Sequence, residues 1–311
     1  MMTHKRLREV LKNWGLEREN LTDIIYDETG NRSESACYVG KDYVIKYSSD
    51  AERVEKLIFL ARAMEDVGIS AAEPVTALDG QSYVVDGEVF FYVTRRLEGS
   101  QLKASTMYLE DYVPKSRFIG EVIGQLSLAL AQCDVPVEDV NLYRKVTEWA
   151  IPNLQGKINL PVPFIEKYTA SFAQLHELLP RQIIHRDPNP GNIILSDREW
   201  GILDFDLSER NVRIFDPCYA ATAVLSESFG EGEPERLSKW VEVYKNIIYG
   251  YDEVVKLTDA ERKAVPFVVL ANQFIAAAWF SEQEKYSDIY RTNVKMTEWM
   301  IENFEGLKME G

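Results

Sequence analysis

Three observations predict an α+β fold of two lobes, an antiparallel sheet with one helix followed by a mainly helical half. Strand signals crowd the stretch from Ile24 to Leu97, and helical periodicity takes over after Gly99. The clear strands of the second half, "NIILS" and "GILDF", both fall within "QIIHRDPNPGNIILSDREWGILDFD" (residues 182–206). At 311 residues the chain is long for one compact domain, and the boundary predicted at "RRLEGSQL" divides it into lobes of residues 1–97 and 98–311.

The elements follow in order. "MMTHKRLREVLKNWGL" has no apolar core of signal-peptide length, and its periodic Leu7, Val10, Leu11 and Trp14 predict a surface helix. "IIYDE", "SACYVG" and "DYVIKYS" predict three consecutive strands, with turns at "TGNRSE" and around Gly40 to Asp42. A helix follows over "DAERVEKLIFLARAMEDVGI", where Val54, Leu57, Ile58, Ala61 and Met64 recur at helical spacing, Asp50 caps the start and Gly68 ends it. "PVTAL" and "SYVVDGEVFFYVTRRL" supply more strand, with hairpin turns at Asp79-Gly80 and Asp86-Gly87. Beyond the boundary, "SRFIGEVIGQLSLALAQCD" and "EKYTASFAQLHELL" carry helical stripes, and Thr258 with Glu261 forms a capping box. It opens a helix through "AVPFVVLANQFIAAAWF", which Pro266, Asn272 and Gln273 interrupt and which reads as buried rather than membrane-spanning.

The net charge of −15 excludes ordinary nucleic-acid binding, which needs clustered Lys and Arg, and suits cationic ligands or simple solubility. Cys37, Cys133 and Cys218 are widely spaced, form no CxxC pair and have too few histidines nearby for a zinc site, so they read as reduced, buried thiols of a cytoplasmic protein.

The chemistry concentrates in residues 182–206. "PNPG" forces a sharp bend, Asn192 opens a strand, and a turn at Asp197 and Arg198 leads to a second strand carrying Asp204. Asp187, Asn192 and Asp204 are thereby expected at one end of a small antiparallel ribbon. Two carboxylates and an amide oxygen make a hard oxygen site suited to Mg²⁺, with nucleotide phosphates completing the octahedron. H-x-D-x-x-x-x-N, then a strand and an Asp, is the arrangement of a kinase catalytic loop and metal ligand. Lys46 in "DYVIKYS" stands where a kinase keeps the lysine that grips the α- and β-phosphates, oriented by a Glu from the next helix. Glu52 and Glu55 both lie on that helix, and Glu55, immediately before the apolar run, is preferred. "TGNRSES" lacks a G-x-G-x-x-G pattern, but would cover the phosphates with backbone N–H groups and the hydroxyls of Ser33 and Ser35.

These residues resemble the aminoglycoside phosphotransferase and choline kinase-like enzymes, which include homoserine kinase-like and methylthioribose kinase-like members. The resemblance covers nearly the whole chain and rests on "VIK", "VTRRLEG", "FIGEVIGQLSLAL", "IIHRDPNPGNIIL", "GILDFD", "FDPCYAA" and "IIYGYDEVVKLTDAER". It implies a bilobal protein-kinase-like fold that transfers the γ-phosphoryl group of ATP or GTP to a hydroxyl of a small molecule. Carried over residue by residue, it makes Asp187 the catalytic carboxylate, Asn192 and Asp204 the Mg²⁺ ligands and Lys46 a phosphate contact. Backbone groups of Arg95, Arg96 and Leu97 would meet the purine. His185 would brace the loop, Asp206 would join the metal shell or local hydrogen bonding, and Asp216 would cap a helix.

A protein kinase is disfavoured, because the chain has no A-P-E sequence and too short a stretch between Asp204 and "FDPCYAA" for a long activation segment. The implied partners are a nucleoside triphosphate and a small acceptor, with no nucleic acid or membrane, and a monomer is compatible with the sequence. An aminoglycoside-type cationic acceptor is expected. Homoserine, choline or a related alcohol is the alternative, as is a catalytically silent nucleotide-binding module. Trp279, Phe280 and Tyr286 read as helix core or as an acceptor wall.

Overall fold

The computed structural model describes residues 2–25, 32–196, 199–226, 229 and 234–309. The contacts divide the chain into two compact units. One comprises Met1–Ser100, Asp134–Pro136 and Ile194–Asp206, and the other Gln101–Cys133, Val137–Ile193 and Leu207–Gly311. The first division falls at Ser100, beside the glycine that the sequence singles out, and residues 194–206 join the first unit.

In the first unit, α1 (His4–Leu11) starts where Thr3 Oγ1 accepts the Arg6 N–H. Its stripe of Leu7, Val10 and Leu11 is buried, with Trp14, against Val39, Ile45, Phe91 and Val93 of the sheet. The strands are β1 (Leu21–Ile25), β2 (Arg32–Val39), β3 (Tyr43–Ser48), β4 (Ser70–Ala71), β5 (Pro74–Val75), β6 (Val84–Asp86) and β7 (Val89–Arg95), with β8 (Ser100–Gln101) at the division. The main sheet is antiparallel in the order β1-β2-β3-β7-β5, and β6 also pairs with β7. The predicted turn at Asp86-Gly87 closes the β6–β7 hairpin, where Asp86 faces Val89. Between β3 and β4 lies α2 (Ala51–Asp66), capped by Asp50 as expected and buried along Val54, Leu57, Ile58, Leu60, Ala61 and Met64. Gly99 is required. Its φ is 124°, and a Cβ there would lie 2.2 Å from the Leu195 carbonyl oxygen.

The second unit is mainly helical. It begins with α3 (Tyr112–Leu130), followed by α4 (Leu142–Arg144), a π-helical stretch at Lys145–Ala150, α5 (Ile151–Leu154) and α6 (Val162–His176). β9 (Arg181–Ile184) then leads into the loop of residues 185–191. The short strands β10 (Ile193–Leu195) and β11 (Trp200–Ile202) belong, apart from Ile193, to the first unit, where β11 runs parallel to β4. The predicted turn at Asp197 and Arg198 lies outside the described residues. Back in the second unit, β12 (Glu209–Val212) pairs antiparallel with β9, and α7 (Phe215–Ser226), α8 (Pro234–Val254), α9 (Asp259–Ser281) and α10 (Ser287–Glu302) complete it. Helices α3 and α8 approach closely through glycines, since a Cβ on Gly120 would lie 2.1 Å from Ile247 O and one on Gly250 2.0 Å from Arg117 O. The capping box at Thr258 and Glu261 opens α9, and Glu261 also forms a two-pronged ion pair with Arg213 at 2.7 and 2.8 Å. By length and composition α9 could cross a membrane, but its apolar stretch is mostly buried, with Val265, Val268, Val269 and Phe274 fully enclosed.

Candidate functional site

The loop after β9 is built by short-range bonds around one carboxylate. Pro188 and Pro190 exclude helix, and a single tight turn at Pro190–Asn192 closes with the Asn192 N–H donated to Asn189 O at 2.9 Å. Asn189 Nδ2 donates to Asp187 Oδ1 at 2.9 Å. Asn192 Nδ2 donates to the Asp187 carbonyl at 2.8 Å and to its Oδ2 at 3.3 Å. Tyr219 on α7 also hydrogen bonds to the Asp187 side chain. Burial pushes its phenol well up and the adjacent Asp187 charge pushes it further, so the hydroxyl remains a donor. Asp187 is thus an ionisable acceptor held in place by neutral donors. His185 is fully buried, and its Nδ1 accepts the Asp187 N–H at 3.3 Å, the geometry of a brace.

Asp216 departs from expectation. Rather than capping a helix, it lies within the first turn of α7 and clamps the loop, Oδ2 accepting the His185 N–H at 2.9 Å and Oδ1 the Arg186 N–H at 2.8 Å. Burial raises its carboxyl to about 7, because desolvation outweighs the two backbone hydrogen bonds, and Glu209 and Asp187 add to the rise. The clamp holds an unfavourable backbone, since Arg186 has φ 73°. Its guanidinium pairs with buried Glu209 at 2.9 Å, and Glu209 also accepts Asn211 Nδ2 at 2.7 Å. Burial raises the Glu209 carboxyl, opposed by Arg186 and Asn211. Tyr219 and Glu209 escape sequence reading. Tyr219 shares a helical face with Asp216 at i, i+3, whereas Glu209 in "SERNV" carries no signal at all.

The remaining nucleotide and metal candidates lie in the first unit. Lys46 on β3 faces Tyr92 across the strand register, and together with Asp204, Thr94 and the α2 residues Leu57, Ile58 and Ala61 they line one narrow cleft. Burial pushes the Tyr92 phenol up to about 12, with Lys46 acting in the opposite direction. The face that α2 turns to this cleft is apolar. Glu55 lies in a separate groove with Arg62 and Ser82, accepting the Tyr83 hydroxyl at 3.0 Å, and Glu52 is exposed in the first turn. The polar contribution of α2 beside Asp204 is cationic, because Arg53 pairs with Asp206 and Lys56 Nζ donates to the Asp206 carbonyl at 2.9 Å. Asp206 is therefore engaged in local pairing through Oδ2 and its carbonyl, while its Oδ1, like that of Asp204, is buried without a hydrogen-bond partner among the described residues.

Ser33 and Ser35 lie in β2 rather than in a loop. Ser33 is buried, Ser35 is exposed, and the Ser35 N–H reaches Ser33 Oγ at 3.4 Å. Residues 26–31, including Gly30 of the expected phosphate loop, lie outside the described residues. At the expected purine contact, Arg95 N–H donates to Glu73 O at 3.1 Å and Arg96 N–H to Asp42 O at 2.8 Å. Among the described residues, the Leu97 N–H makes no such bond. Trp279, Phe280 and Tyr286 form a partly exposed aromatic cluster with centroids 4.9 to 5.9 Å apart.

Asp204 offers an oxygen suited to a hard divalent cation. Asp204 Oδ1 is buried without a hydrogen-bond partner among the described residues, on a residue held at φ 67°. A carboxylate oxygen left without a donor in a buried position is costly unless a cation meets it. The bonds that Asn192 makes to Asp187 use its amide nitrogen and leave the amide oxygen outside them.

Solved structures share the fold. The chain aligns with an amicoumacin kinase in complex with AMP-PNP, Ca²⁺ and Ami (14% identity, 100% of this chain and 96% of that chain, TM-score 0.70). It aligns with a microcompartment-associated aminopropanol kinase (14% identity, 97% of both chains, TM-score 0.71). The GDP complex of aminoglycoside 2'-phosphotransferase-IIIa matches at 14% identity over 97% of this chain and 99% of that one, with TM-score 0.66. No curated protein matches the sequence. The model of the phosphotransferase enzyme family matches residues 27–252, and the chain belongs to that family, as a small-molecule kinase whose acceptor is a hydroxyl group.

Proposed function

We propose that the protein transfers the γ-phosphoryl group of ATP or GTP to a hydroxyl of a small cationic acceptor, with an aminoglycoside-type compound as the leading class. The observation that carries this reading is the Asp187 carboxylate, fixed by Asn189, Asn192 and Tyr219. In this reading Asp187 holds the acceptor hydroxyl in line with the γ-phosphorus and takes its proton. The new O–P bond forms as the bond to the leaving nucleoside diphosphate breaks. Lys46 binds the phosphates, and Leu97 supplies a backbone donor toward the purine. Asp204 and Asn192 would hold Mg²⁺, which when bound neutralises phosphate charge.

The acceptor class rests on charge. A chain of net charge −15 raises the local concentration of cations, and two of the similar structures are named for amino-bearing acceptors, aminopropanol and aminoglycoside. The "YGYDEVVKLTDAER" segment, which resembles the homoserine branch, has a structural explanation of its own. Asp252 accepts the Leu257 N–H and pairs with Arg262, while Glu261 caps α9.

The test is a mass-spectrometric screen with ATP or GTP and Mg²⁺ against aminoglycosides, amino alcohols, choline, homoserine and neutral sugars. Phosphorylation of aminoglycosides in preference to the others supports the reading. Preference for a neutral sugar at low salt overturns the cationic acceptor, and preference for homoserine or choline moves the enzyme to the metabolite branch. Nucleotide binding with no product from any acceptor favours a silent binding module.

A further inference from the structure

Three donor atoms from three separate elements converge in the first unit. His4 opens α1, Asp23 lies in β1 and Cys37 in β2, the last two directly opposite in the strand register. His4 Nε2 lies 2.8 Å from Asp23 Oδ1 and 3.9 Å from Cys37 Sγ, and one donor atom from each residue falls within 4.8 Å of the others. A nucleophilic relay would place thiol and carboxylate on opposite ring nitrogens. Here both approach the same Nε2, so the three donors surround one point.

We propose that His4, Asp23 and Cys37 form a binding site for a divalent cation of the zinc class. Imidazole nitrogen, thiolate sulfur and carboxylate oxygen are the donors zinc takes, with bonds of about 2.0 to 2.3 Å, and a tetrahedral shell of such bonds sets neighbouring donors about 3.3 to 3.8 Å apart. The 2.8 and 3.9 Å separations bracket that range, so side-chain movements of the order of 1 Å complete the shell. His4 and Asp23 side chains are 40% and 31% exposed, which lets water supply a fourth ligand.

The charges and protons balance. Thiolate and carboxylate offset the metal's two positive charges, while Arg32, 3.0 Å from Asp23 Oδ1, competes for that oxygen and moderates affinity. On metal binding the proton that His4 Nε2 directs at Asp23 leaves that nitrogen, the ring keeping its proton on Nδ1, and Cys37 releases its thiol proton to solvent. Burial first, and then the Asp23 charge, raise the Cys37 thiol. Counting cysteines and histidines along the chain argues against zinc, because the donors lie 33 residues apart at the extremes and meet only when α1 packs on the first two strands.

The experiment uses the tag-free full chain, stripped with a chelator and titrated with Co²⁺. The expected result is a thiolate-to-cobalt charge-transfer band with the visible bands of four-coordinate cobalt, saturating at one equivalent and bleached by equimolar Zn²⁺ but not by Mg²⁺. Cys37→Ser is expected to lose the charge-transfer band, and Cys133→Ser to keep it. Because Cys37 is buried and its replacement could disturb folding, His4→Gln on the half-exposed helix start is the deciding variant, with folding checked by circular dichroism. Loss of saturation in folded His4→Gln supports the site. Absence of the band in the wild-type protein, or an unchanged titration in His4→Gln, overturns it.

Discussion

Asp216 accepts the backbone N–H of Arg186 at 2.8 Å, on a residue whose φ of 73° would ordinarily favour glycine. Left-handed backbone costs a non-glycine residue about 1–2 kcal/mol. The clamp and the Arg186–Glu209 pair together hold that conformation next to Asp187.

Arg186→Gly relieves the backbone but leaves Glu209 buried without its guanidinium. Breaking a buried pair from one side outweighs the relief, so a net loss of about 1–3 kcal/mol is expected in chemical denaturation. Arg186→Gly combined with Glu209→Gln should recover most of it, and a double variant no better than the single one would contradict the account.

Asp216 makes stability depend on pH. Its folded-state carboxyl is raised to about 7 from an ordinary 3.8, so the folded protein binds the proton more tightly than the unfolded chain. That contribution is full below about 3.8, declines as pH rises from there to about 7, and is lost above. Its upper limit is about 4 kcal/mol at 1.36 kcal/mol per unit. Asp216→Asn should remove this slope, measured as unfolding free energy from pH 4 to 8. A wild-type-to-variant difference that stays constant across the window would show that Asp216 does not titrate there.

Gly250→Ala forces a methyl group to within 2.0 Å of the Arg117 carbonyl, so α3 and α8 must separate. Overpacking of this kind costs roughly 1–3 kcal/mol. Gly306→Ala has open space around its Cβ and should be near neutral. Similar denaturation midpoints for the two variants would contradict the close helix contact.

Asp204→Ala removes a buried carboxylate oxygen that lacks a donor among the described residues. Calorimetric titration with nucleotide should show Mg²⁺-dependent affinity in the wild-type protein and its loss in the variant. Equal affinity with and without Mg²⁺ in both proteins would argue against a metal ligand at this position.

The fold was largely legible in the sequence because its signals are local. The α2 stripe with its Asp50 cap, the Asp86-Gly87 hairpin and the Thr258 capping box each depend on residues within one element. Asp187 and Asn192 stood out for the same reason, since the bonds that join them to each other and to Asn189 span five residues or fewer. What stayed hidden depends on distant pairing. The grip of Asp216 on the loop crosses about 30 residues, and α2 turns Leu57 and Ile58, rather than Glu55, toward the cleft of Lys46. β2 starts at Arg32, which draws Ser33 and Ser35 out of the expected loop. His4, Asp23 and Cys37 carry no spacing motif, and only the packing of α1 unites them.

The central claim is that Asp187 orients and deprotonates the acceptor hydroxyl. The most direct measurement compares product formation and nucleotide affinity for the wild-type enzyme and Asp187→Asn with the best acceptor from the screen. The expected result is turnover lowered roughly 10²- to 10⁴-fold with nucleotide affinity nearly unchanged. Near-wild-type turnover in the variant would contradict it.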